Sequence, residues 1–226
     1  IAVSENIDDS RKVLKTSQDY PDFLRPCIGL HPDNFGDDRE APSEEDISGL
    51  VDLIRENRNA LVGIGEVGLD YWVARDKTSR KKQRDFLAQM VNLSNELSLP
   101  LSVHCRSAGH YTLDLLAQRQ AKKVCLHAFD GKAGYALEAF KQHGWIFSIP
   151  PSIVRSSQKQ RLVRTLPLEA LALESDSPAL GPDPKLRNEP ANLVLVVQSI
   201  AEIKKESEQM VMQATTHNAK KIFGLD

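Results

Sequence analysis

The chain has 226 residues, of which 41% are hydrophobic, and its 29 basic residues nearly balance 31 acidic ones for a net charge of −2. This length and hydrophobic share allow a sizeable core. No apolar run approaches the ~20 residues of a membrane span, so a soluble chain is expected. The balanced charge excludes a protein that coats nucleic acid electrostatically, but not one that acts on a short piece of it.

Three cysteines, Cys27, Cys105 and Cys125, have no CxxC spacing and are odd in number. That pattern predicts thiols rather than disulfides, and hence an intracellular protein of the cytoplasm or nucleus. The chain starts at Ile1, inside an apolar run and without a Met, so we expect that an N-terminal segment is missing.

Short apolar runs along the chain predict seven strands, at residues 1–3, 24–30, 61–64, 100–103, 124–126, 145–149 and 171–173. Amphipathic patterns predict helices between them, around residues 10–14, 47–54, 77–98, 113–116, 136–140 and 158–166, and two closing helices at 192–204 and 208–223. Residues 33–45 are predicted to form an acidic loop.

Strict strand–helix alternation is typical of a parallel α/β sheet. A (β/α)8 barrel of the TIM type has eight strands, so seven predict such a barrel lacking its first strand in this chain. A doubly wound open sheet is the alternative, but its phosphate-binding glycine fingerprint is absent from the sequence.

The stretch LVGIGEVGLD at residues 61–70 places an acidic residue, Glu66, where a strand would emerge from the core. A carboxylate there is costly unless a cation or a hydrogen-bond donor meets it. Gly65 and Gly68 leave room for a ligand or another backbone to approach. A solvated glutamate at a strand–loop junction is the alternative.

Four predicted strands end in groups that bind divalent cations: Glu66, His104, His127 and Asp176. Because the carboxyl ends of parallel strands lie on one face of this fold, we expect these side chains to converge. Imidazoles combined with carboxylates suit Zn²⁺, Mn²⁺ or related ions.

Other residues have two interpretations. His31 also follows a predicted strand and is either a substrate contact or a support for the metal ligands. Arg106 could clamp an anionic group or form a salt bridge with a loop carboxylate. Cys105 and Cys125 are expected to be small core residues. The basic run at residues 80–84 indicates a solvated helix face or a nucleic-acid rim.

Several motifs occur in order along the chain: GEVGLD (65–70), SVHCRSAG (102–109), LHAFDG (126–131), ESDSPAL (174–180) and RNEP (187–190). Together they resemble the TatD family of metal-dependent deoxyribonucleases. The stretch FSIPPSIVRSSQKQ (147–160) narrows the resemblance to the TatD DNase domain-containing protein three subgroup. The resemblance covers essentially the whole chain.

The resemblance implies one hydrolase domain over residues 1–226, an amidohydrolase-like (β/α)8 barrel that cleaves DNA phosphodiester bonds. It implies Zn²⁺, Mg²⁺ or Mn²⁺ as cofactor, with one or two ions per chain, and DNA as substrate. Damaged sites or strand ends are the expected targets. Neither a membrane nor an obligate protein partner is expected.

Carried over position by position, the resemblance makes Glu66 a metal-bridging carboxylate of the catalytic site. His104 and His127 would complete the ligands of one metal. Asp176 would be both a ligand and the general base. Two further residues, His31 and Arg187, would belong to the substrate-facing mouth, together with Arg106.

The sequence departs from the family in one respect, because it contains no His-x-His pair of the kind that the family's first strand carries. One complete ligand set remains, and a second metal would have only carboxylates. Two rival functions therefore stay open: an amidohydrolase-like enzyme acting on a small ester or amide, and a binding barrel without catalysis.

Overall fold

A computed structural model describes residues 1–225, which form two compact units, Ile1–Val124 and a second that begins at Cys125. Each unit alternates strands with helices. None of the described helices combines the length and the apolar character that a membrane crossing requires.

The first unit contains four strands, each parallel to its neighbour in chain order: β1 (Ala2–Val3), β2 (Pro26–Ile28), β3 (Gly63–Asp70) and β4 (Leu101–Arg106). Its helices are α1 (Ile7–Asp19), α2 (Glu44–Glu56), α3 (Lys77–Leu97) and α4 (Gly109–Gln118). A short 3-10 helix, Pro32–Phe35, follows β2.

Side-chain caps fix where these helices begin. The Asn6 side chain accepts a hydrogen bond from Asp9 N at the start of α1. Ser43 and Asp46 form a capping box at α2, and Asp76 accepts from two backbone amides of α3. Each cap satisfies amides that a helix start would otherwise leave without an acceptor.

Three parallel strands follow in chain order: β5 (Val124–Leu126), which begins at the last residue of the first unit, and β6 (Ile146–Ile149) and β7 (Leu171–Leu173) of the second unit. Its helices are α5 (Ala133–His143), α6 (Ser157–Thr165), α7 (Leu193–Lys204) and α8 (Glu208–Phe223). Three 3-10 helices lie between them, at Pro151–Val154, Leu168–Ala170 and Pro190–Asn192. Gly144 ends α5 with a φ of 69°, a left-handed conformation that glycine adopts without strain.

The predicted order of elements and the parallel pairing within each unit are confirmed, with β5, β7 and α8 at their predicted bounds. Three predictions were wrong in detail. β2 is shorter than 24–30, and a 3-10 helix occupies the start of the predicted loop 33–45. β4 continues past His104 because Cys105 and Arg106 pair with the end of β3.

Candidate metal centre

Glu66 lies in the middle of β3, at a register shift between Ile64 and Val67, rather than at the strand's end as predicted. Such an irregularity re-aims a side chain. Glu66 is only 7% exposed, so the alternative of a solvated glutamate is wrong. Its Oε1 lies 2.8 Å from His104 Nδ1 and 3.4 Å from His31 Nε2. The buried carboxylate is therefore met by two imidazoles.

We call His31, Glu66 and His104 the strand cluster. One ligand atom from each residue lies within 4.8 Å of the others, and the two imidazole nitrogens are 3.3 Å apart. Tetrahedral ligands 2.0–2.1 Å from Zn²⁺ stand about 3.3 Å from one another. The donor set and its spacing therefore fit a divalent ion.

His31 is held as a neutral imidazole, the protonation state that binds a metal ion. Burial, followed by the proximity of His104, lowers the pKa of His31 to about 4, although Glu66 acts in the opposite direction. A neutral imidazole is the ligating form. Its Nδ1 accepts a hydrogen bond from Asp33 N at 3.1 Å, which turns Nε2 toward Glu66.

Asp70, at the end of β3, supports His104 from the opposite edge of the ring. Its Oδ2 lies 3.3 Å from His104 Nε2. Burial alone would raise the pKa of Asp70, but the neighbouring His104 ring lowers it overall. A carboxylate behind a ligating histidine fixes the orientation of the ring.

Gln83, a fully buried residue of α3, ties Asp70 to the His31 turn. Its Oε1 accepts from Asp70 N at 2.9 Å, and its Nε2 donates to Asp70 O at 3.2 Å and to Pro32 O at 2.9 Å. One amide side chain therefore satisfies three backbone groups around the strand cluster. Neither Asp70 nor Gln83 was among the predicted site residues.

Two glycines permit close packing of backbone around Glu66. A Cβ on Gly68 would overlap the backbone of His104, and a Cβ on Gly29 would meet Glu66 O at 2.8 Å. The Ser4 hydroxyl accepts from Gly29 N at 2.9 Å, while Glu66 N donates to Ser4 O at 3.1 Å. Among the described residues, it is therefore the backbone of His104 that packs closely against Gly68.

The second unit holds a separate group, His127, Glu174 and Asp176, which we call the loop cluster because its members follow β5 and β7. His127 Nδ1 lies 3.3 Å from Glu174 Oε2 and 3.8 Å from Asp176 Oδ1. Glu174 also accepts hydrogen bonds from Ala128 N, at 2.9 Å, and from the Ser148 hydroxyl. Glu174 was not among the predicted site residues.

Lys159, a buried residue of α6, holds the turn that carries His127. Its Nζ donates to Ala128 O at 2.6 Å and to Phe129 O at 2.8 Å. Ala128 has a φ of 38°, an uncommon value for a residue with a Cβ. Such conformations persist where the surrounding contacts hold them, and they cluster at functional sites.

Asn188 holds the loop that carries Asp176, which itself has a left-handed φ of 51°. The Asn188 side chain donates to Ser175 O at 2.5 Å and to Ala179 O at 2.6 Å. The neighbouring Arg187 is exposed. This arrangement fixes the backbone on both sides of Asp176 and leaves Arg187 in solvent.

The structure thus brings Glu66 together with His104, and His127 together with Asp176. The convergence of all four predicted ligands stays a prediction. Arg106 is exposed at the end of β4, with its guanidinium 4.9 Å from the centroid of the Trp72 ring. No described carboxylate forms an ion pair with Arg106, so the salt-bridge alternative is not supported.

All three cysteines are buried, as the sequence predicted for Cys105 and Cys125, and no disulfide joins them within residues 1–225. Burial, reinforced by the charge of Glu174, raises the pKa of Cys125 to about 12. A thiol protonated at neutral pH is a poor nucleophile.

Comparison with known proteins gives a consistent result. A family model described as "TatD related DNase" matches residues 1–224. The human protein named deoxyribonuclease TATDN3 is 42% identical over 99% of this chain and 82% of its own length. YabD of Bacillus subtilis, named an uncharacterized metal-dependent hydrolase, is 30% identical over 95% of this chain and 83% of its own.

Solved structures show the fold. The TatD homologue YjjV from Escherichia coli superimposes with a TM-score of 0.89 at 23% identity, covering 100% of this chain and 86% of that one. A TatD-family hydrolase from Entamoeba histolytica superimposes with a TM-score of 0.81 at 21% identity, covering 97% and 82%. The predicted TIM-type (β/α) barrel is confirmed, with seven strands in the described residues, and the open-sheet alternative is wrong.

Proposed function

The chain belongs to the TatD-related DNase family, and on that premise we propose that it hydrolyses DNA phosphodiester bonds with the help of divalent metal ions. The observation that carries the proposal is the strand cluster, in which two imidazoles and a buried carboxylate lie at ligand spacing. Human TATDN3, at 42% identity, is itself named a deoxyribonuclease.

We assign the metal ligands to Glu66, His104, His127 and Asp176, and the geometry adds His31 as a further candidate ligand. One or two ions of Zn²⁺, Mg²⁺ or Mn²⁺ are proposed. When bound, such an ion supplies a Lewis acid that polarises the scissile phosphate and neutralises developing charge.

Asp176 is proposed as the general base that takes up the proton of the attacking water. Its carboxylate is partly buried and lies 3.8 Å from His127 Nδ1, so the proton acceptor stands beside an imidazole. The Glu66 carboxylate lies beside the imidazoles of His31 and His104, an arrangement that favours binding of a cation between these groups.

Substrate contacts are proposed for Arg106 and Arg187, whose exposed guanidinium groups suit phosphate oxygens, and for His31. A net charge of −2 supplies little long-range attraction for duplex DNA. Recognition then depends on contacts near the scissile bond, which favours strand ends and damaged sites over long intact duplex.

The test is a cleavage assay with end-labelled oligonucleotides: single-stranded, duplex, nicked and abasic. The chelated chain receives Zn²⁺, Mg²⁺ or Mn²⁺ in separate reactions, and small carboxylic esters, amides and lactones are assayed in parallel. We expect cleavage of DNA that requires added metal and is abolished in Glu66→Gln.

His143→Gln is the matched control, because His143 is exposed at the end of α5 and stacks on Trp145 with ring centroids 4.3 Å apart. It should cleave like the wild-type chain. Turnover of small esters or amides without DNA cleavage would overturn the nuclease proposal, as would metal binding without any turnover.

We also propose that the chain forms a single hydrolase domain and that it resides in a reducing, intracellular compartment. The family model spans residues 1–224 without a break, which supports one domain. The three buried cysteines, not joined in disulfides within the described residues, are consistent with a reducing compartment of the cytoplasm or nucleus.

A further inference from the structure

The turn after β3 exposes a large aromatic side chain beside a cation. Trp72 is 58% exposed, whereas Trp145, the second of the chain's two tryptophans, is 1% exposed. The guanidinium of Arg106 lies over the Trp72 ring, 4.9 Å from its centroid. An exposed indole leaves apolar surface in water, and the proposed metal chemistry gives it no role.

Backbone hydrogen bonds hold this turn in place. Trp72 N donates to Asp70 Oδ1 at 2.9 Å, and Tyr71 N donates to Arg106 O at 2.9 Å. Further along, Arg75 N donates to Asp37 Oδ2 at 2.9 Å. The indole is therefore presented on a fixed backbone, which reduces the ordering cost of binding a partner.

Asp70 connects the turn to the strand cluster. Its Oδ1 accepts the Trp72 amide, while its Oδ2 lies 3.3 Å from His104 Nε2. One carboxylate thus links the backbone of Trp72 to a proposed metal ligand. The turn that carries the indole is therefore anchored to the same strand ends as the strand cluster.

The pair has the chemistry of a nucleotide subsite. An indole stacks on any nucleobase, because every base has a π-face. A guanidinium that stacks through its face keeps its in-plane N–H donors for phosphate oxygens. Among the described residues, no carboxylate forms an ion pair with Arg106, although the charge of Arg106 contributes to lowering the pKa of Asp70.

We propose that Trp72 is a stacking platform for an unpaired nucleobase next to the scissile phosphate, and that Arg106 binds an adjacent phosphate of the same strand. The inference rests on the proposed deoxyribonuclease function and deepens it. A paired base is already stacked within its duplex, so this platform selects single-stranded ends and unpaired positions.

Fluorescence tests the platform without any turnover, because Trp72 is the exposed one of two tryptophans. The chelated chain is titrated with a thymidine oligonucleotide and with an abasic oligonucleotide of the same length. We expect saturable quenching by the thymidine strand, much weaker quenching by the abasic strand, and none in Trp72→Phe. Equal quenching by both strands, or no quenching by either, would overturn the inference.

Kinetics test the same platform during turnover. Trp72→Ala should raise KM for a single-stranded oligonucleotide roughly tenfold while changing kcat less than about twofold, a size typical of one base–aromatic stack. KM for a strand that is abasic at the stacking position should not change. Phe23→Ala is the matched control, since Phe23 is an exposed aromatic residue of the first unit outside this turn.

The two proposals fail separately. Wild-type cleavage with an unchanged KM in Trp72→Ala would overturn the platform and leave the nuclease function standing. Base-dependent quenching in a chain that cleaves no DNA would support the platform as a binding site and overturn the nuclease function.

Discussion

The strand cluster and the loop cluster use similar side chains but are held differently. In the strand cluster, Glu66 and His104 lie on paired neighbouring strands, and each imidazole is within 3.4 Å of Glu66 Oε1. In the loop cluster, Asp176 follows β7 in a left-handed conformation, 3.8 Å from His127 Nδ1.

This difference suggests a division of labour. Strand residues have little freedom to move, and the close imidazole–carboxylate spacing of the strand cluster suits an ion that demands fixed ligand positions. Asp176 follows a strand instead of lying within one, and its carboxylate, 3.8 Å from His127 Nδ1, can serve both as a ligand and as a proton acceptor. Variants that affect binding and turnover separately test this comparison.

The largest effect is expected for the proposed base of the loop cluster. Asp176→Asn keeps the shape but removes the proton acceptor, so kcat for DNA cleavage should fall by about 10²–10⁴. Zn²⁺ binding at the strand cluster should persist, as measured by calorimetry. Asp183→Asn, an exposed change in the same connection, is the control. An undiminished kcat in Asp176→Asn would refute the assigned role.

The strand cluster should make the metal-free chain sensitive to acid. The pKa of His31 is about 4 in the folded chain against an ordinary value of 6.5. Between these values the unfolded chain takes up a proton that the folded chain does not. Stability is therefore highest above pH 6.5 and falls as the pH is lowered toward 4, by on the order of 3 kcal/mol.

Denaturant unfolding of the chelated chain between pH 7 and pH 4 measures this loss, and His31→Gln should flatten the profile. His217→Gln, a change at an exposed position of α8, should leave it as steep as in the wild-type chain. Parallel profiles for wild type and His31→Gln would show that His31 does not titrate as described.

A smaller effect, on metal affinity, is expected for Asp70, the carboxylate that contacts the proposed ligand His104. Asp70→Asn removes the charge that faces His104 Nε2 at 3.3 Å, and a lost outer partner typically weakens metal affinity by about 10- to 100-fold. Titration with Zn²⁺ measures the change. Asp85→Asn, a change at an exposed position of α3, is the control and should bind Zn²⁺ as tightly as the wild-type chain does. Wild-type Zn²⁺ affinity in Asp70→Asn would show that Asp70 does not support His104.

The smallest effect is expected for the support of the loop cluster. Lys159→Met removes the ammonium that donates to Ala128 O and Phe129 O, and only Phe129 O keeps another side-chain donor, Gln158 Nε2. The free energy of unfolding should fall by about 1–3 kcal/mol. Chemical denaturation measures the loss, and Lys81→Met, at an exposed ion pair with Asp85, is the control. Equal stability of the two variants would contradict the structural role of Lys159.

The sequence was sufficient to predict the contacts that strand order dictates. Glu66 and His104 meet because their strands are consecutive and parallel, and His127 meets Asp176 because both follow strands of the second unit. The position of Glu66 within β3 was not predictable, because the register shift beside it depends on pairing with β4.

The supporting residues were missed although the sequence carries a signal for them. Gln83 shares one helical stripe with Phe86, Leu87 and Met90, and all four are buried. Lys159 likewise lies on the buried stripe of α6. A polar residue on an apolar stripe must find hydrogen-bond partners inside the fold, so its position indicates a structural task. Its partners are backbone groups of distant turns, which no local pattern reveals.

The most direct test of the central claim is calorimetric titration of Zn²⁺ into the chelator-stripped chain. The wild-type chain should bind at least one equivalent, and Glu66→Gln should lose more than about 100-fold in affinity, beyond the loss that an outer partner causes. Glu138→Gln, at an exposed position of α5, should bind as wild type does. Equal affinity in wild type and Glu66→Gln would contradict a metal centre built on the strand cluster.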